Sequence, residues 1–567
     1  MSVHTAQVGI VGAGPVGMIA ALRLADAGVS SVLLDSKPYL VKQGSKACLI
    51  QGDVLEVLER AGCAQPIADE GVTWTIGRTY VRDKVMRSTT YPRGPGFGPF
   101  VNISQYRIEQ VLAEAVERHP LCELRWGHEV VAVDQDADSV TLRAHGPEET
   151  ADDLRFAYVV AADGVRSTMR ELLGVEWTGY THSDRFLITD IKADLPLAKE
   201  RHFHYDPSFN PGRQLVMHPQ PDDVWRIDWQ LPPDADIEAE RRDGTFDARV
   251  RAVIGDVEYE IDWVSTYRFH QRVVDQLVVG RVLFAGDAAH ALPPYGSRGM
   301  NSGIQDADNL AWKIGAVLNG QSPAQLVETY HAERYAAAKE NLRVTEATIR
   351  FMVPPSRIRR WTRALLLALA HSVGAARDRV NSGRMAEPYV YDDSPIVAPQ
   401  HGNALLGSFL PDPVVHHGGT ATRLRKLIAD GFAVLVVADD LDTARTLVRA
   451  AGAAHAGLSA GTGSGVGGIT VLAPDTVPGD AFGADVPVAH APASELERFA
   501  TGWWLVRPDG HLAAHGPAGA TDASLDPVDP VDAEDSVDGV ALDLAAALRR
   551  CLGHDLPATS ALVKEAR

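Results

Sequence analysis

A glycine-rich turn between two short apolar segments constrains the fold of this chain more than any other feature. Gln7–Val11 has the composition of a buried strand, and the turn Gly12–Gly17 follows it directly. A run of helix formers then ends at Gly28, as a helix with a C-terminal glycine does. Val32–Asp35 has the pattern of a second buried strand and ends in a carboxylate. This order of elements predicts a dinucleotide-binding βαβ unit in a parallel sheet.

Each glycine of the turn has a mechanical role in such a unit. Gly12 permits the tight turn, Gly14 lets a pyrophosphate approach the backbone, and Gly17 lets the helix pack closely on the strand. The helix N-terminus offers unpaired N–H groups to phosphate. Asp35 can accept hydrogen bonds from ribose hydroxyls. The turn alone does not distinguish FAD from NAD.

Composition excludes several classes of protein. A length of 567 residues suggests about two or three domains. A formal net charge of −20 argues against a general binder of nucleic acid or anionic membranes. The four cysteines are scattered without a Cys-x-x-Cys pair, so we expect no disulfide framework and no zinc site. We therefore expect a cytoplasmic protein. The N-terminus runs almost directly into the βαβ pattern, without a charged and then an apolar region ahead of it, so we expect no signal peptide.

The longest apolar run, near residues 364–370, is far too short to span a membrane. It follows several arginines, so a helix lying on a membrane surface is one interpretation. We prefer a helix packed between domains or subunits, because such segments usually bury against protein.

Two later motifs each place an aspartate directly after a buried strand. Tyr158–Ala161 leads to Asp163 and Gly164, and Val282–Ala285 leads to Gly286 and Asp287. In a parallel sheet such residues lie at the carboxyl edge, where the ligand crevice is found. Either motif alone is compatible with an ordinary strand-ending turn. The second motif continues into a glycine-rich loop, residues 293–303, that opens a helix and would present N–H groups to an anionic ring or phosphate.

Together the three ordered motifs resemble those of the single-component, group A flavoprotein monooxygenases. That family includes 4-hydroxybenzoate hydroxylase, phenol hydroxylase, 3-(3-hydroxyphenyl)propionate hydroxylase and the hydroxylases of aromatic polyketide tailoring. The similarity covers about residues 5 to 400. It implies an FAD-dependent monooxygenase that uses NADPH or NADH and O2 to hydroxylate a phenolic or polyketide-type aromatic substrate through a flavin C4a-hydroperoxide.

The resemblance also implies which residues bind the cofactor. Asp287 would bind the ribityl or pyrophosphate part of FAD, and the loop from Pro293 to Asn301 would lie along the isoalloxazine ring. The N–H groups of Met300 and Asn301 would lie near its O2 and N1 side. The implied cofactor-binding residues are Gly12, Gly14, Gly17, Asp35, Lys46, Gln105, Asp163, Gly164, Gly286, Asp287, Gly299, Met300 and Asn301.

Among these residues, Lys46 departs from the family pattern and Gln105 matches it. The family commonly has Pro-Arg-Ala where this chain has Ser45, Lys46 and Ala47. Lys46 keeps the charge but lacks the planar fork of arginine. Gln105 matches a family glutamine near the FAD phosphates, and Arg166, after Asp163, would serve access of the nicotinamide.

Residues from about 175 to 275 read as strands rather than helices. Gln214–His218 and Val224–Leu231 form a predicted hairpin around a turn cluster, residues 219–223. In the family this region roofs the flavin and forms the substrate pocket. Laid on the corresponding hairpin of 4-hydroxybenzoate hydroxylase, Gln220 falls where that enzyme clamps its substrate carboxylate with arginine. A small benzoate held by that clamp is therefore disfavoured.

The same register puts His218 at a polar substrate contact and Arg226 at a flavin-facing arginine. A regular hairpin would place both on one face with Asp228. His218 could accept the phenol proton, because a histidine pKa lies near working pH, although an ordinary surface or interface histidine is the alternative. The carbonyl of Pro294 would lie by the reacting edge of the substrate. The candidate catalytic residues are His218, Pro294 and Arg226, and the candidate substrate-binding residues are Tyr205, His218, Gln220, Asp228 and Pro294. No ligand set at suitable spacing supports a metal site.

The C-terminal third resembles the thioredoxin-like domain that extends phenol hydroxylase, with the turn Arg507–Gly510 as a frequent mark of that domain. It lacks Cys-x-x-Cys, so the resemblance is structural and not redox. We therefore predict an α/β chain with a Rossmann-like FAD-binding domain (1–175 and 276–352), an inserted β-sheet substrate domain (176–275), a helical connector (353–399) and a thioredoxin-like domain (400–567). We expect a homodimer or a monomer.

Two other functions remain open at this point. A flavoprotein reductase or oxidase without oxygen insertion would share the fold, and a non-enzymatic flavin-binding sensor would share the cofactor site. The intact glycine-rich loop beside the expected isoalloxazine favours an enzyme.

Overall fold

The computed structural model describes residues 6–41, 47–94, 96–147, 151–232, 234–352, 354, 356–369, 372–375, 380, 385, 387–400, 403–428, 431–462, 468–518 and 533–557. The chain divides into two compact units. Unit 1 comprises Met1–Arg93, Phe97–Asp308 and Ala336–Glu387, and unit 2 comprises Gly94–Gly96, Asn309–Tyr335 and Pro388–Arg567. Residues 309–335 thus group with the C-terminal third, whereas the sequence suggested one domain through residue 352.

Unit 1 contains the predicted parallel sheet. Numbered in chain order, its strands are β1 (Val8–Val11), β2 (Ser31–Asp35), β8 (Cys122–Trp126), β12 (Tyr158–Ala161), β18 (Val278–Val279) and β19 (Val282–Phe284). They lie in the order β18-β19-β12-β1-β2-β8, and every pair except β18–β19 is parallel. β1, β2 and β12 are buried along their whole length, which explains their continuous apolar sequences.

Helices and two small sheets also occur in the part of the chain before residue 370. The helices numbered up to residue 369 are α1 (Pro15–Asp26), α2 (Gly52–Arg60), α3 (Ala64–Glu70), α4 (Gln105–Arg118), α5 (Thr168–Leu172), α6 (Ile237–Asp243), α7 (Thr245–Ile254), α8 (Arg298–Leu318), α9 (Gln325–Met352) and α10 (Arg357–Leu369). The small sheets contain β3 (Leu49–Gln51), β7 (Phe100–Asn102) and β4 (Val72–Trp74), and β11 (Ala151–Phe156), β10 (Val140–His145) and β9 (Glu129–Gln135). No helix in the described part of the chain is long and apolar enough to cross a membrane.

The predicted strands between residues 175 and 275 form most of an eight-stranded sheet. Its strands are β5 (Ile76–Val81), β6 (Lys84–Thr90), β13 (Trp177–Lys192), β14 (Arg201–Tyr205), β15 (Gln214–Pro219), β16 (Val224–Leu231), β17 (Glu260–Val274) and β20 (His290–Ala291). Their order is β20-β17-β13-β16-β15-β14-β5-β6. The predicted β15–β16 hairpin is present, and its turn holds Asp222 and Asp223 in the left-handed region.

The expectation of strands alone in this region was wrong, because α6 and α7 lie within it. Asp236 caps α6 by accepting a hydrogen bond from the N–H of Ala239, and Gly244 separates the two helices at a φ of 82°. Phe246 and Val250 of α7 pack with Trp225 and other apolar residues of the sheet. The helices therefore cover one face of the sheet and leave the other face for different contacts.

Unit 2 is built on a seven-stranded mixed sheet. Its strands are β21 (Val414–His417), β22 (Thr420–Arg423), β23 (Ala433–Val437), β24 (Gly468–Ala473), β25 (Val488–His490), β26 (Gly502–Val506) and β27 (Leu512–Gly516), in the order β22-β21-β25-β24-β23-β26-β27. Its further helices are α11 (Leu424–Leu427), α12 (Leu441–Thr462), α13 (Ala493–Leu496) and α14 (Ala533–Cys551). Alternate residues of β23 enter two different apolar cores, so this strand is buried on both faces.

Candidate functional site

The three sequence motifs converge at one edge of the parallel sheet in unit 1. β1 leads into Gly12, β12 into Asp163, and β19 into Gly286. These strands are parallel neighbours, so their carboxyl ends lie side by side. Val16 lies against both Gly286 and Gly303, where added Cβ atoms would be 3.0 and 2.6 Å from its Cγ2. The first and third motifs are therefore in direct contact.

The glycine turn has the shape that a dinucleotide requires. Gly12 has a φ of 103°, and a Cβ there would lie 2.4 Å from the carbonyl oxygen of Ala162. A Cβ at Gly17 would lie 2.0 Å from the carbonyl oxygen of Gly12, so only glycine allows this approach. A Cβ at Gly14 would meet no protein atom within 4 Å, and no side chain caps α1 there. The turn thus leaves open space beside free helix N–H groups, which fits the pyrophosphate of FAD.

Asp35 stabilises this turn from the end of β2. Its carboxylate accepts hydrogen bonds from the N–H groups of Ala13 at 2.8 Å and Lys37 at 2.9 Å. A carboxylate has about four lone-pair sites, so acceptor capacity remains for ribose hydroxyls.

Asp163 and its neighbours form a second rigid turn. Asp163 Oδ2 accepts a hydrogen bond from the N–H of Met169, whereas Oδ1 is buried without a partner in the described chain. Burial raises the pKa of Asp163 against the opposing effect of that N–H group. Arg170 donates to the carbonyl groups of Val165 and Ala288 and so joins the second motif to the third. Gly164 has a φ of 78°, and Arg166 is exposed.

A buried histidine–aspartate pair holds the third motif. Asp306 of α8 accepts hydrogen bonds from the N–H of Gly286 at 3.0 Å and contacts Nε2 of His290 at 2.6 Å. Asp287 is half-buried, and a Cβ on Gly299 would lie 4.0 Å from its Oδ1. Asp287 therefore lies beside the N-terminus of α8.

The loop from 293 to 301 is ordered by its own hydrogen bonds. The N–H of Ser297 donates to the Pro294 carbonyl at 3.1 Å, so this carbonyl closes a turn. The Asn301 side chain accepts from the N–H of Gln51 and donates to the Leu49 carbonyl. It thereby ties the loop to β3, and Met300 is half-buried beside it.

The structure gives the contacts of Gln105 but does not describe Lys46. Gln105 begins α4, accepts a hydrogen bond from the N–H of Ala47 at 3.3 Å and donates to Glu109 at 2.8 Å. Burial raises the pKa of Glu109. Lys46 lies outside the described residues, so its contact with the cofactor stays a prediction.

The hairpin brings the predicted substrate residues onto one face of the eight-stranded sheet. His218 pairs directly with Arg226, and Val216 pairs with Asp228. Because alternate residues of a strand share a face, His218, Arg226 and Asp228 lie together on the face opposite α6 and α7. Tyr205 joins that face through its pairing with Gln214, whose side chain donates to the Tyr295 hydroxyl at 2.7 Å. Gln220 is buried at the end of the hairpin.

Several polar atoms on this face, which we call the polar face, have no hydrogen-bond partner among the described residues. They are buried, and they belong to side chains that alternate with the apolar residues packed on α7. These atoms are Gln214 Oε1, His218 Nδ1, Gln220 Nε2, Arg226 Nη1 and Asp228 Oδ1.

An ion pair fixes the centre of the polar face. Asp190 accepts two hydrogen bonds of 2.8 Å from Nε and Nη2 of Arg226, and both side chains are buried. Burial, together with the negative charge of Asp190, raises the pKa of Asp228 to about 7 against the field of Arg226. Burial also raises the pKa of the nearby Cys48 thiol to about 12.

The surroundings of His218 bear on its predicted role as a proton acceptor, which stays a prediction. Burial, helped by the charges of Arg201 and Arg226, lowers the pKa of His218 well below its usual value. A strongly lowered pKa makes the imidazole a poor proton acceptor at neutral pH. Asp228 is instead the group on this face whose pKa lies near neutrality.

The sequence did not point to Arg201, Asp190 or Cys48. The first two lie on β14 and β13, and Cys48 precedes β3, so they meet His218 and Arg226 only through the folded sheet. The sequence held one signal for Arg201. This ionisable residue occupies the same face of a buried strand as Phe203 and Tyr205, where an aromatic residue would be expected. Within the described residues, no cluster of His, Cys, Asp or Glu is arranged to hold a metal ion.

Comparison with known proteins agrees with this geometry. Residues 5–345 match the family model described as an FAD binding domain. The 3-(3-hydroxy-phenyl)propionate/3-hydroxycinnamic acid hydroxylase of Burkholderia cenocepacia is 30% identical over 436 residues, which cover 76% of this chain and 79% of that protein. The protein of the same name from Klebsiella pneumoniae subsp. pneumoniae is 30% identical over 62% of this chain and 64% of its own length.

Solved structures show the same fold. The OxyS anhydrotetracycline hydroxylase of Streptomyces rimosus superposes with a TM-score of 0.67 at 26% identity, covering 96% of this chain and 99% of its own. The flavin-dependent monooxygenase PieE, solved with FAD and substrate, has a TM-score of 0.75 at 22% identity, covering 97% and 99% of the two chains.

The family match spans more than half of the chain, and the Burkholderia relative aligns over most of both proteins. FAD is the cofactor, and NAD(P)H is the electron donor that is typical of this family. The chain belongs to the group A flavoprotein monooxygenases and is an FAD-dependent aromatic hydroxylase.

Proposed function

We propose that this hydroxylase acts on an aromatic ring that carries a free hydroxyl group, in a pocket over the polar face. The observation that carries this proposal is the set of buried, unpartnered polar atoms on that face. Leaving a buried donor or acceptor unsatisfied costs about 1–3 kcal/mol each, so several together are expected where a polar ligand satisfies them. The relatives' names, which contain a hydroxyphenyl acid and anhydrotetracycline, support a phenolic or polyketide-type substrate.

The cofactor residues follow from the edge of the parallel sheet. When bound, FAD would supply the electrons and the activated oxygen for hydroxylation. The turn Gly12–Gly17 and the N-terminus of α1 would hold its pyrophosphate, and Asp35 its ribose. The other proposed FAD contacts are Lys46, Gln105, Asp163, Gly164, Gly286, Asp287, Gly299, Met300 and Asn301.

We assign the proton chemistry to Asp228 rather than to His218. The substrate O–H bond would break and its proton would pass to a carboxylate oxygen of Asp228, which leaves an electron-rich phenolate. His218 would remain neutral and orient the hydroxyl by a hydrogen bond. Arg226, held in place by Asp190, would stabilise the phenolate charge. The Pro294 carbonyl would lie at the reacting edge, with Tyr205 and Gln220 at the periphery of the pocket.

We also propose a role for the eight-stranded sheet and a fold class for unit 2. We assign the eight-stranded sheet to substrate binding and unit 2 to a thioredoxin-like domain without redox cysteines. The latter is supported by the order of its central strands, in which β23 is parallel to β24 and antiparallel to β26. We further propose a cytoplasmic monomer or homodimer that binds no nucleic acid and no membrane.

A comparison of free phenols with their methyl ethers tests the substrate class. Purified holoenzyme would receive NADPH or NADH with 3-(3-hydroxyphenyl)propionate, 1,8-dihydroxyanthraquinone and the O-methylated form of each. Hydroxylated product, measured by mass spectrometry, is expected only from compounds with a free hydroxyl. Equal hydroxylation of the ethers would contradict the proposed proton transfer, and so would product from the ethers alone.

A further inference from the structure

Arg201 lies on the polar face but outside its ion pair. It begins β14, where Phe203 pairs with Val216 of β15. Arg201, Phe203 and Tyr205 are every second residue of the strand, so their side chains lie on one face. Arg201 therefore shares the face of Val216 and Asp228. The residue is only 8% exposed. Arg201 therefore places a guanidinium among the substrate-binding candidates.

No carboxylate or carbonyl oxygen among the described residues accepts a hydrogen bond from this guanidinium. Its contact is with the ring of Phe203, whose centroid lies 5.1 Å from Cζ. The ionisable groups that act on it electrostatically are the phenols of Tyr91 and Tyr205, the carboxyl of Asp228 and the thiol of Cys48. None of them forms an ion pair with it.

Two other buried arginines of unit 1 differ from Arg201 because they donate hydrogen bonds to oxygen atoms of the chain. Arg226 is held by both carboxylate oxygens of Asp190, and Arg170 donates to two backbone carbonyl groups. A buried, unpaired charge is strongly destabilising, and arginine does not escape this cost by losing its proton. A guanidinium kept in this state indicates a partner that arrives from outside the chain.

Charge on the polar face supports an anionic partner. Arg226 and Asp190 neutralise each other, and Asp228 is the carboxyl group that acts electrostatically on Arg201. When Asp228 holds a proton, the charge of Arg201 is not compensated by that carboxyl group. The planar fork of a guanidinium matches a carboxylate in two parallel hydrogen bonds. Gln220, the neutral side chain at the end of the hairpin, cannot provide that charge.

We propose that Arg201 is a specificity-determining residue that binds a carboxylate substituent of the aromatic substrate. This inference rests on the proposed function, because it takes the polar face as the substrate site. The carboxylate would lie at β14, and the ring with its hydroxyl group would extend toward Asp228 and His218 on the neighbouring strands.

Matched acids and amides of three sizes test the proposal by binding alone. The probes are 3-(3-hydroxyphenyl)propionate, 6-hydroxy-2-naphthoate and 4,5-dihydroxyanthraquinone-2-carboxylate, each with its primary amide. Binding to oxidised holoenzyme is followed through the change in bound-flavin absorbance. At least one acid is expected to bind about tenfold more tightly than its amide. Arg201→Gln should abolish that preference while changing amide affinity less than about twofold, and Arg201→Lys should restore part of it.

Arg251→Gln serves as the matched control. Arg251 is on α7, on the opposite side of the sheet, and pairs with Asp247 at the surface. This variant removes the same charge and should keep the acid preference of the unaltered enzyme. Flavin content and near-ultraviolet circular dichroism would show that each variant is folded.

The proposal is overturned if no acid of any size binds more tightly than its amide. It is also overturned if Arg201→Gln weakens acid and amide equally, which would indicate a structural role, or changes neither. If neutral phenols are hydroxylated but no acid binds more tightly than its amide, this inference is contradicted and the proposed function is unaffected. Failure of every free phenol to give product would instead remove the proposed function.

Discussion

Asp228 and Arg226 lie two positions apart on one strand, yet their charges are controlled differently. Arg226 is satisfied by a carboxylate directly across the sheet. Asp228 pairs across the sheet with apolar Ile188 and Val216, and no cation among the described residues forms an ion pair with it. Burial therefore dominates, and the pKa of Asp228 rises to about 7. Asp228 thus has a pKa near neutral pH, whereas Arg226 stays charged.

This difference predicts a pH dependence of stability. The folded-state pKa of Asp228 is above its unfolded value of about 3.9, so its favourable contribution is complete below about pH 4 and is lost as the pH rises through about 7. Relative to Asp228→Asn, the unaltered protein should lose up to about 4 kcal/mol of unfolding free energy over that range. Unfolding midpoints of both proteins from pH 4 to 8 measure this. Parallel curves would contradict the raised pKa.

A side chain added at Gly14 should impair FAD binding, whereas one added at Gly17 should impair folding. Gly14→Val should fold, because its side chain enters space free of protein atoms, but it should purify with little FAD. Gly17→Ala should destabilise the fold itself, because its Cβ would lie 2.0 Å from the Gly12 carbonyl oxygen. Flavin absorbance and thermal melts separate the two effects. Full flavin occupancy in Gly14→Val would refute the assignment of the turn to the pyrophosphate.

At the scale of elements, the pairing of β13 with β16 determines the centre of the site. Asp190 and Arg226 are register partners, so their ion pair forms only when these two strands are aligned correctly. A one-residue slip of either strand would turn the charge of that strand into the apolar layer beneath α7. The pair therefore specifies register as well as charge.

We predict that Asp190→Asn lowers the free energy of unfolding by about 3–5 kcal/mol, because it leaves Arg226 buried without its counter-charge. The double variant Asp190→Leu, Arg226→Met should regain part of that loss. Denaturant unfolding of the three proteins tests this. A double variant less stable than Asp190→Asn would show that the arginine contributes through other contacts.

The sequence predicted the elements that depend on local pattern and missed those that depend on long-range contact. The glycine turn, the two later motifs and the hairpin are contiguous segments, and each has a recognisable spacing. α6 and α7 are short and rich in charge, with Ile237, Phe246 and Val250 as their buried apolar residues, so their periodicity is weak. Arg201 and Asp190 acquire their significance only from neighbours on other strands, which no local pattern encodes.

At the scale of the whole molecule, a buried charge network organises unit 2. Arg507 donates to both oxygens of Glu333 and to Asp509, and Lys313 donates to Glu333 at 2.7 Å. Burial alone would raise the pKa of Glu333, but the charges of Arg507 and Lys313 outweigh it and lower that pKa well below the usual range. The turn Arg507–Gly510, a family mark in the sequence, thereby gains a physical role. The same contacts explain why residues 309–335 belong to this unit.

Glu333→Gln should therefore destabilise unit 2 selectively, because it leaves Lys313 and Arg507 with one carboxylate between them. The expected loss is about 3–5 kcal/mol. Hydrogen exchange of β23 and β26 should accelerate, while β1 and β12 keep their protection and FAD remains bound. Unchanged exchange in β23 would contradict a stabilising role for the network.

We propose that this chain inserts one atom of molecular oxygen into a phenolic ring. The mass of the product that the holoenzyme forms with NADPH or NADH under ¹⁸O-labelled oxygen tests this proposal. We expect one labelled oxygen atom in the ring for each NAD(P)H consumed in productive turnover. Consumption of NAD(P)H that yields only peroxide, or a product without label, for every free phenol would contradict it.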